Sequence, residues 1–259
     1  SNPWKNWDGS DVFPGYAKTF GRFEIRARLS EGPGSWPAHW LLPTEGGWPE
    51  AGEIDIMEHW QSNPHSYSAN YHGGSWDADT KIHTHYASSM PHNTGDDRYT
   101  DEYHLYAVEW EPDYMAFFVD DLEIGRIHQG DPRSAKITES PNPDDVGDKV
   151  DMTLDIPKIP FFWILNTSVV PENGGLNSMA EVEAFPGMEH RIDYVRVYDR
   201  CTTEPSSSDD PCRAAPPRAR NVTNQYGLTS FRWSTAFNTF VTGDFNGDGA
   251  NDILLLPTS

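Results

Sequence analysis

Residues 52–60 of this chain read GEIDIMEHW, with three carboxylates in six positions separated only by Ile, Ile and Met. Apolar residues that alternate with charged ones are typical of a β-strand with one buried face. Strict alternation would place Glu58 on the face opposite Glu53 and Asp55. One extra residue, a β-bulge at residues 56–57, would return Glu58 to their face. The sequence therefore predicts a bulged strand that presents three carboxylates together.

Three like charges on one strand face repel each other, so a chemical role explains them better than chance does. Glycoside hydrolysis is the chemistry that requires two carboxylates on either side of one substrate bond. The alternative is a solvated acidic face, because the chain carries a formal net charge of -21.

The motif and its surroundings resemble glycoside hydrolase family 16. Residues 53–58, EIDIME, are similar to the bulged Glu-x-Asp-x-x-Glu signature of laminarinases, agarases and their relatives. Three further segments resemble laminarinase-like members: FGRFEIRAR at 20–28, WPAHWLLP at 36–43 and IDYVRVY at 192–198. The resemblance covers about residues 16 to 200. It implies a retaining endo-β-glycosidase.

The resemblance assigns roles to the three carboxylates. Glu53 would be the nucleophile and Glu58 the general acid/base of a double displacement. Asp55, between them, would hydrogen-bond Glu53 and help to keep Glu58 protonated until its proton is needed. Retention of configuration requires the two glutamates to lie close together.

Short alternating runs without helical periodicity predict an all-β fold. The resemblance implies a β-jelly roll sandwich of two curved antiparallel sheets with the cleft on the concave side. Family members carry strands upstream of the first one here, so an unpaired sheet edge is expected. The polar segments 74–101 and 129–151 are expected to be loops over the cleft rim. Strands are predicted at 23–29, 36–42, 53–60, 67–73, 103–110, 114–119, 122–128, 161–169 and 189–198.

Several residues near the motif are candidates for substrate binding. Tryptophan faces stack on sugar rings, but each tryptophan taken alone is also a common core residue. The resemblance favours the cleft for most of them, as it does for the histidine of the run YHGG at 71–74 and for a strand-end asparagine. The histidine that directly follows Glu58 could instead make a structural hydrogen bond. His83, His85 and His92 are expected to be exposed loop residues. The substrate-binding candidates are Trp36, Trp40, Trp48, His59, Trp60, His72 and Asn166.

Composition limits the classes of partner. Nucleic acids and anionic membranes bind clusters of Lys and Arg, and a net charge of -21 argues against both. The chain has 12 Phe, 10 Trp and 11 Tyr, enough for a core with aromatic area left over for a binding surface. No apolar run approaches the length of a membrane span. We expect a secreted monomer whose partner is a polysaccharide and which needs no catalytic cofactor.

The composition changes near residue 201, which predicts a glycosidase domain over 1–200, a linker over 201–220 and a second unit over 221–259. Cys201 and Cys212 lie in the linker. They form either a disulfide or two free thiols.

Residues 243–253, GDFNGDGANDI, resemble one calcium-binding repeat of integrin-like β-propellers. A single copy implies a truncated propeller-like unit, because such repeats need neighbours. Side-chain oxygens at i, i+2, i+4 and i+8 are the spacing of a calcium loop, and an acidic surface turn is the alternative. The glycosidase resemblance implies a second structural calcium, poorly occupied, at Asp193. The ligands of the repeat would be Asp244, Asn246, Asp248 and Asp252.

The substrate favoured by the resemblance is β-1,3-glucan. A galactan, as for agarases or porphyranases, is the alternative within the enzyme class, because loop residues decide which sugar fits. A glycan-binding protein without catalysis is the alternative outside it, because a fold does not fix a function.

Overall fold

The computed structural model describes residues 16–32, 34–60, 63–95, 98–169, 189–199, 220–221, 238–243 and 252–257. Within these ranges the regular elements are strands, apart from the short 3-10 helix Pro143–Asp145. None of the described residues forms a helix long and apolar enough to cross a membrane.

The strands are short and antiparallel. In chain order they are β1 (Gly21–Arg28), β2 (Ser35–Pro43), β3 (Glu53–Glu58), β4 (Ser66–Asp77), β5 (Ile82–Asn93), β6 (His104–Trp110), β7 (Tyr114–Val119), β8 (Leu122–His128), β9 (Pro132–Glu139), β10 (Lys149–Thr153), β11 (Phe161–Val169), β12 (Arg191–Asp199), β13 (Arg220–Asn221), β14 (Asn238–Gly243) and β15 (Asp252–Pro257).

Two sheets form the sandwich. One has the order β10-β9-β5-β4-β3-β2-β11 and the other the order β13-β12-β1-β6-β7-β8, while β14 pairs only with β15. This arrangement confirms the predicted all-β fold of two antiparallel sheets with the jelly-roll architecture. The propeller-like character of the C-terminal segment stays a prediction.

The expected open edge beside β1 is not found, because β1 pairs with β12 on one side and with β6 on the other. The segment before β1 contributes to the opposite sheet instead. Lys18 and Phe161 exchange two backbone hydrogen bonds of 3.0 Å, so this segment meets the edge strand β11. β1 is therefore an inner strand of its sheet and not the unpaired edge that the sequence predicted.

The prediction of rim loops at 74–101 and 129–151 is wrong. The first segment contains the end of β4 and all of β5, which pair over twelve residues, and the second contains β9 and much of β10. These strands escape an alternation pattern because polar or small residues interrupt the apolar ones on the core face, where Tyr86 and Met90 also lie. Thr84 and Ala135 face the core, and both are buried.

Large aromatic residues fill the space between the sheets. Trp110 on β6 meets Phe161 on β11 edge to face, with ring centroids 5.1 Å apart, and Phe23 on β1 packs against both Trp110 and Trp163. Each such side chain buries on the order of 150–250 Å², so a few of them hold the two layers together. The outer face of the seven-stranded sheet is left free for polar residues.

A pair of histidines also joins the two sheets. Nε2 of His39 on β2 lies 2.9 Å from Nε2 of His190, which precedes β12, and Nδ1 of His190 lies 3.1 Å from the hydroxyl of Thr167. The His39 ring meets Tyr106 edge to face. Burial, and secondly the neighbouring His190, holds the pKa of His39 well below its usual value. Burial also lowers the pKa of His190, to about 4.

Candidate active site

The predicted bulge is present in β3. Glu53, Asp55 and Glu58 lie opposite residues 72, 70 and 68 of β4, so the register slips between Asp55 and Glu58. Ile56 and Met57 are both fully buried in the core. Because two consecutive side chains enter the core, Glu58 returns to the face that carries the other two carboxylates.

Asp55 is the most deeply buried of the three carboxylates, with 2% of its surface exposed. Its Oδ2 lies 3.1 Å from Nε2 of His72, yet this oxygen makes no hydrogen bond of regular geometry. Burial, and then the charge of Glu58, raises the pKa of Asp55 well above its ordinary value, while a hydrogen bond with Glu53 acts in the opposite direction.

Glu53 is held by a tryptophan. Nε1 of Trp48 donates a hydrogen bond of 2.6 Å to Oε2 of Glu53. Burial raises the pKa of Glu53 to about 7, with a further contribution from the charge of Asp55, while His72 and the Trp48 hydrogen bond oppose the shift.

Glu58 is held by an amide. Nδ2 of Asn70 donates a hydrogen bond of 2.7 Å to Oε2 of Glu58, and the hydroxyl of Ser68 fixes Asn70 by donating to its Oδ1 at 3.1 Å. Burial raises the pKa of Glu58, and His72, Asn70 and Trp36 lower it. The Trp36 indole N–H acts at close range, although it makes no hydrogen bond of regular geometry.

The pKa values of all three neighbouring carboxyl groups are raised, and each ionised carboxylate makes it harder for the next to ionise. Their protonation is therefore coupled, and the titration belongs to the group and not to one residue. A site that offers an ionised carboxylate beside a protonated one has the two functions that acid-assisted nucleophilic substitution requires.

His72 belongs to a chain of contacts that starts at Asp55. Its Nδ1 lies 2.9 Å from Nε2 of His85, and the planes of the two rings are almost parallel, at 11°. Trp48 packs against His85 with ring centroids 4.9 Å apart. The expectation that His83, His85 and His92 are exposed loop residues is wrong, because all three lie on β5 and are partly buried. His85 lies nearest the carboxylates, through its contact with His72. The i, i+2 spacing of His83 and His85, which places both on one strand face, was the signal for it.

The tryptophan candidates surround the carboxylates. Trp36 stacks on Trp60, with ring centroids 5.9 Å apart and planes at 27°. Nε1 of Trp40 donates a hydrogen bond of 2.7 Å to Oδ1 of Asn166. Trp48 is 45% exposed, so one face of its ring is open to solvent. The structure thus brings these five predicted residues to the carboxylate face, and their contact with substrate stays a prediction.

His59 does not lie with them. It is fully buried, and its Nδ1 lies 2.8 Å from the carbonyl oxygen of Ser66. The prediction that His59 binds substrate is wrong, because the side chain that follows Glu58 turns to the core face. Asn70 was missed altogether, since nothing in the sequence of β4 distinguishes it before its register with β3 is known.

Of the residues predicted to bind calcium, the structure describes the side chain of Asp193 only. Asp193 forms an ion pair with Arg26. Asp244, Asn246 and Asp248 lie outside the described residues, as do the side chain of Asp252 and the two cysteines. Among the described residues one group of side chains has the spacing of metal ligands: Asp55, Glu58 and His72, whose ligand atoms lie within 4.8 Å of one another.

Comparison with known proteins identifies relatives of this chain. The model of the family Glycosyl hydrolases family 16 matches residues 5–146. A beta-glucanase of Rhodothermus marinus is 37% identical over 188 residues, which cover 70% of this chain and 57% of the glucanase. A keratan-sulfate endo-1,4-beta-galactosidase of Sphingobacterium multivorum is 30% identical over 190 residues, which cover 71% of this chain and 37% of that enzyme.

Solved structures share the fold. The laminarinase catalytic domain of Thermotoga maritima MSB8 is 27% identical, with a TM-score of 0.53, over 72% of this chain and 66% of that domain. The matched part of this chain spans 57% of the glucanase, 37% of the galactosidase and 66% of the laminarinase domain. The chain therefore corresponds to only part of these relatives.

Proposed function

This chain belongs to glycosyl hydrolases family 16, and on that basis we propose that it is an endo-acting glycosidase that cleaves a β-linked polysaccharide, β-1,3-glucan above all, with retention of configuration. The observation that carries the proposal is the bulge in β3. It puts Glu53, Asp55 and Glu58 on one face, where partial or full burial raises the pKa of each.

In the first step the carboxylate of Glu53 attacks the anomeric carbon and forms a glycosyl-enzyme bond. The bond to the leaving oxygen breaks as Glu58 gives that oxygen its proton. In the second step Glu58, now ionised, takes a proton from a water molecule, which attacks the anomeric carbon and releases Glu53. No step draws on a cofactor.

The neighbours of the two glutamates suit these roles. The Trp48 indole donates to Oε2 of Glu53, which stabilises the ionised form and orients the nucleophile. Asn70 holds Glu58 through one oxygen and leaves the other available for the proton. Burial, and secondly the charge of Asp55, favours protonation of Glu53 in the free enzyme, so a protonated Glu53 has to lose its proton before attack.

The substrate proposal rests on the relatives and on the aromatic surroundings. Both the Rhodothermus marinus beta-glucanase and the Thermotoga maritima laminarinase have names that refer to glucans. The stacked pair Trp36 and Trp60, and Trp40 beside Asn166, offer ring faces for sugars. A galactan is the second candidate, since the galactosidase relative is 30% identical over a similar stretch. We further propose that the protein acts outside the cell, as an enzyme for a large polysaccharide must; a monomeric state stays a prediction.

The test is release of reducing ends from laminarin, agarose and keratan sulfate, measured side by side, with Glu58→Gln as the inactive control. We expect laminarin to be cut, and NMR of the first product to show the β-anomer. Cutting of agarose or keratan sulfate alone would move the substrate to the galactans. Binding of laminarin without cleavage of any substrate would make this a glycan-binding protein.

A further inference from the structure

The donor atoms of Asp55, Glu58 and His72 converge in a way that a hydrogen bond does not explain. Oδ2 of Asp55 lies 3.1 Å from Nε2 of His72, but neither direction satisfies hydrogen-bond geometry, and this oxygen is buried without another partner. A carboxylate oxygen of Asp55, a carboxylate oxygen of Glu58 and a ring nitrogen of His72 all lie within 4.8 Å of one another. Two ligands of one tetrahedral cation, at bond lengths of about 2.0–2.2 Å, are about 3.3–3.6 Å apart, so small side-chain rotations would bring these atoms to bonding distance of one ion.

We propose that Asp55, Glu58 and His72 form a binding site for a late transition-metal ion, Zn²⁺ in the first place, which occupies the reaction centre and inhibits the enzyme reversibly. Three protein ligands leave a fourth tetrahedral position for water. Glu58 and His72 are partly exposed, so the ion can enter from the cleft, while Asp55 closes the site from below.

The surrounding residues orient the ligands as partners of a metal site do. Nδ1 of His72 donates to Nε2 of His85 at 2.9 Å in the tautomer that leaves the lone pair of Nε2 on the carboxylate side. Asn70 fixes Glu58 through its Oε2. Trp48 packs against His85 and restricts the rotation of that ring.

The donor set selects the metal. One imidazole nitrogen and two carboxylate oxygens suit Zn²⁺, whereas Ca²⁺ takes six to eight oxygen ligands, more than these three side chains supply. Mg²⁺ prefers octahedral oxygen ligands and keeps several waters, so the imidazole gives it no advantage. The site is therefore unlike the oxygen-only calcium loop predicted at residues 244–252.

Inhibition follows from the identity of the ligands and rests on the proposed function. A metal-bound Glu58 has no proton to give to the leaving oxygen, and the ion fills space beside Glu53. Binding of the ion does not rest on the proposed function, because it depends only on the three donor atoms.

The test is calorimetric titration of Zn²⁺ and, separately, Ca²⁺ into the chelator-treated full chain, without any glycan. We expect one Zn²⁺ site that is lost in His72→Gln and retained in His128→Gln, which changes an exposed histidine of the other sheet. His85→Ala should weaken Zn²⁺ binding about 10–100-fold by removing the outer partner of His72. Far-UV circular dichroism confirms that the variants are folded.

Equal Zn²⁺ heats from the wild-type protein and His72→Gln would overturn the proposal, and the metal would then be bound by surface carboxylates only. Ca²⁺ binding that is tighter than Zn²⁺ binding and is lost in His72→Gln would overturn it as well. Laminarin hydrolysis with and without Zn²⁺, restored by EDTA, tests the inhibition separately. A protein that binds Zn²⁺ but cuts no glycan would leave the metal site standing and refute the proposed function.

Discussion

Two histidine pairs in this molecule have nearly the same geometry and different surroundings. His72 and His85 at the cleft, and His39 and His190 between the sheets, are each joined by nitrogen atoms 2.9 Å apart, with ring centroids 5.1 Å and 5.0 Å apart. In the cleft pair, His72 also contacts the carboxylate of Asp55. In the inner pair, His190 contacts the hydroxyl group of Thr167 and His39 contacts the ring of Tyr106.

The difference teaches that neighbours, and not the pair itself, decide what two histidines do. Burial holds the pKa values of His39 and His190 low, so the inner pair is neutral in the folded protein and acts as a polar link in the core. The cleft pair lies beside three carboxyl groups whose pKa values are raised. A substitution in this pair therefore changes the surroundings of the groups that carry out the proposed reaction. We therefore expect variants at the cleft to change turnover, and variants at the inner pair to change stability.

The largest effect should come from the carboxylates that the cleft pair adjoins. Glu53→Gln and Glu58→Gln should each lower hydrolysis by about 10²–10⁴-fold or more, because the first removes the nucleophile and the second the proton donor at constant volume. Glycan affinity, measured by calorimetry, should be retained. Glu102→Gln, at an exposed position on the loop before β6, is the matched control. Near wild-type turnover in either glutamine variant would refute the assignment.

The next effect concerns the inner pair. His39→Ala should lower the free energy of unfolding by about 2–4 kcal/mol, because it opens a cavity in the core and leaves His190 without its partner. Turnover per folded molecule should stay within about twofold of the wild type. Urea denaturation and initial rates on the same sample separate the two quantities. A His39→Ala protein with wild-type stability and reduced turnover would show that the inner pair serves the reaction and not the stability of the fold.

Substitutions of a cleft tryptophan and a core tryptophan should have different effects on binding and on stability. Trp60→Ala should weaken oligosaccharide binding by about 1–3 kcal/mol if its ring stacks on sugar beside Trp36. Trp110→Leu, which changes a fully buried ring between the sheets, should instead lower the melting temperature and leave affinity per folded molecule unchanged. Calorimetry and thermal unfolding on both variants distinguish the roles. Unchanged affinity in Trp60→Ala would place that residue with the structural tryptophans.

The smallest effect is a shift in pH dependence. The pKa of Glu53 is raised to about 7, and attack requires its ionised form, so kcat/KM should fall as the pH drops through about 7. The charge of Asp55 contributes to that rise, so Asp55→Asn should lower the pKa of Glu53 and move the acid limb of the profile to lower pH. The profile is measured on laminarin at low substrate concentration. An acid limb that stays in place, or moves to higher pH, would show that Asp55 does not act on Glu53 through its charge.

Much of the site was predictable because its three carboxylates lie within one short stretch of sequence, on a single strand. The run of 52–60 predicted a strand, a bulge and a shared carboxylate face, and the register of β3 with β4 confirms all three. The all-β class followed from the many short alternating runs, since period-two patterns show directly in the sequence. The strands β5, β9 and β10 were missed because polar or small residues such as Thr84 and Ala135 interrupt the apolar ones on their core face, so the hydrophobic period is broken.

What the sequence alone determined is therefore which residues are able to perform chemistry and roughly which strand carries them. The tertiary structure decided which of them meet. Asn70 holds Glu58, and His85 holds His72, only because β4 lies between β3 and β5 in a particular register, and His59 leaves the cleft because the chain turns after Glu58. Pairing between strands depends on hydrogen bonds and burial distributed along whole sheets, and no short stretch of sequence contains that information.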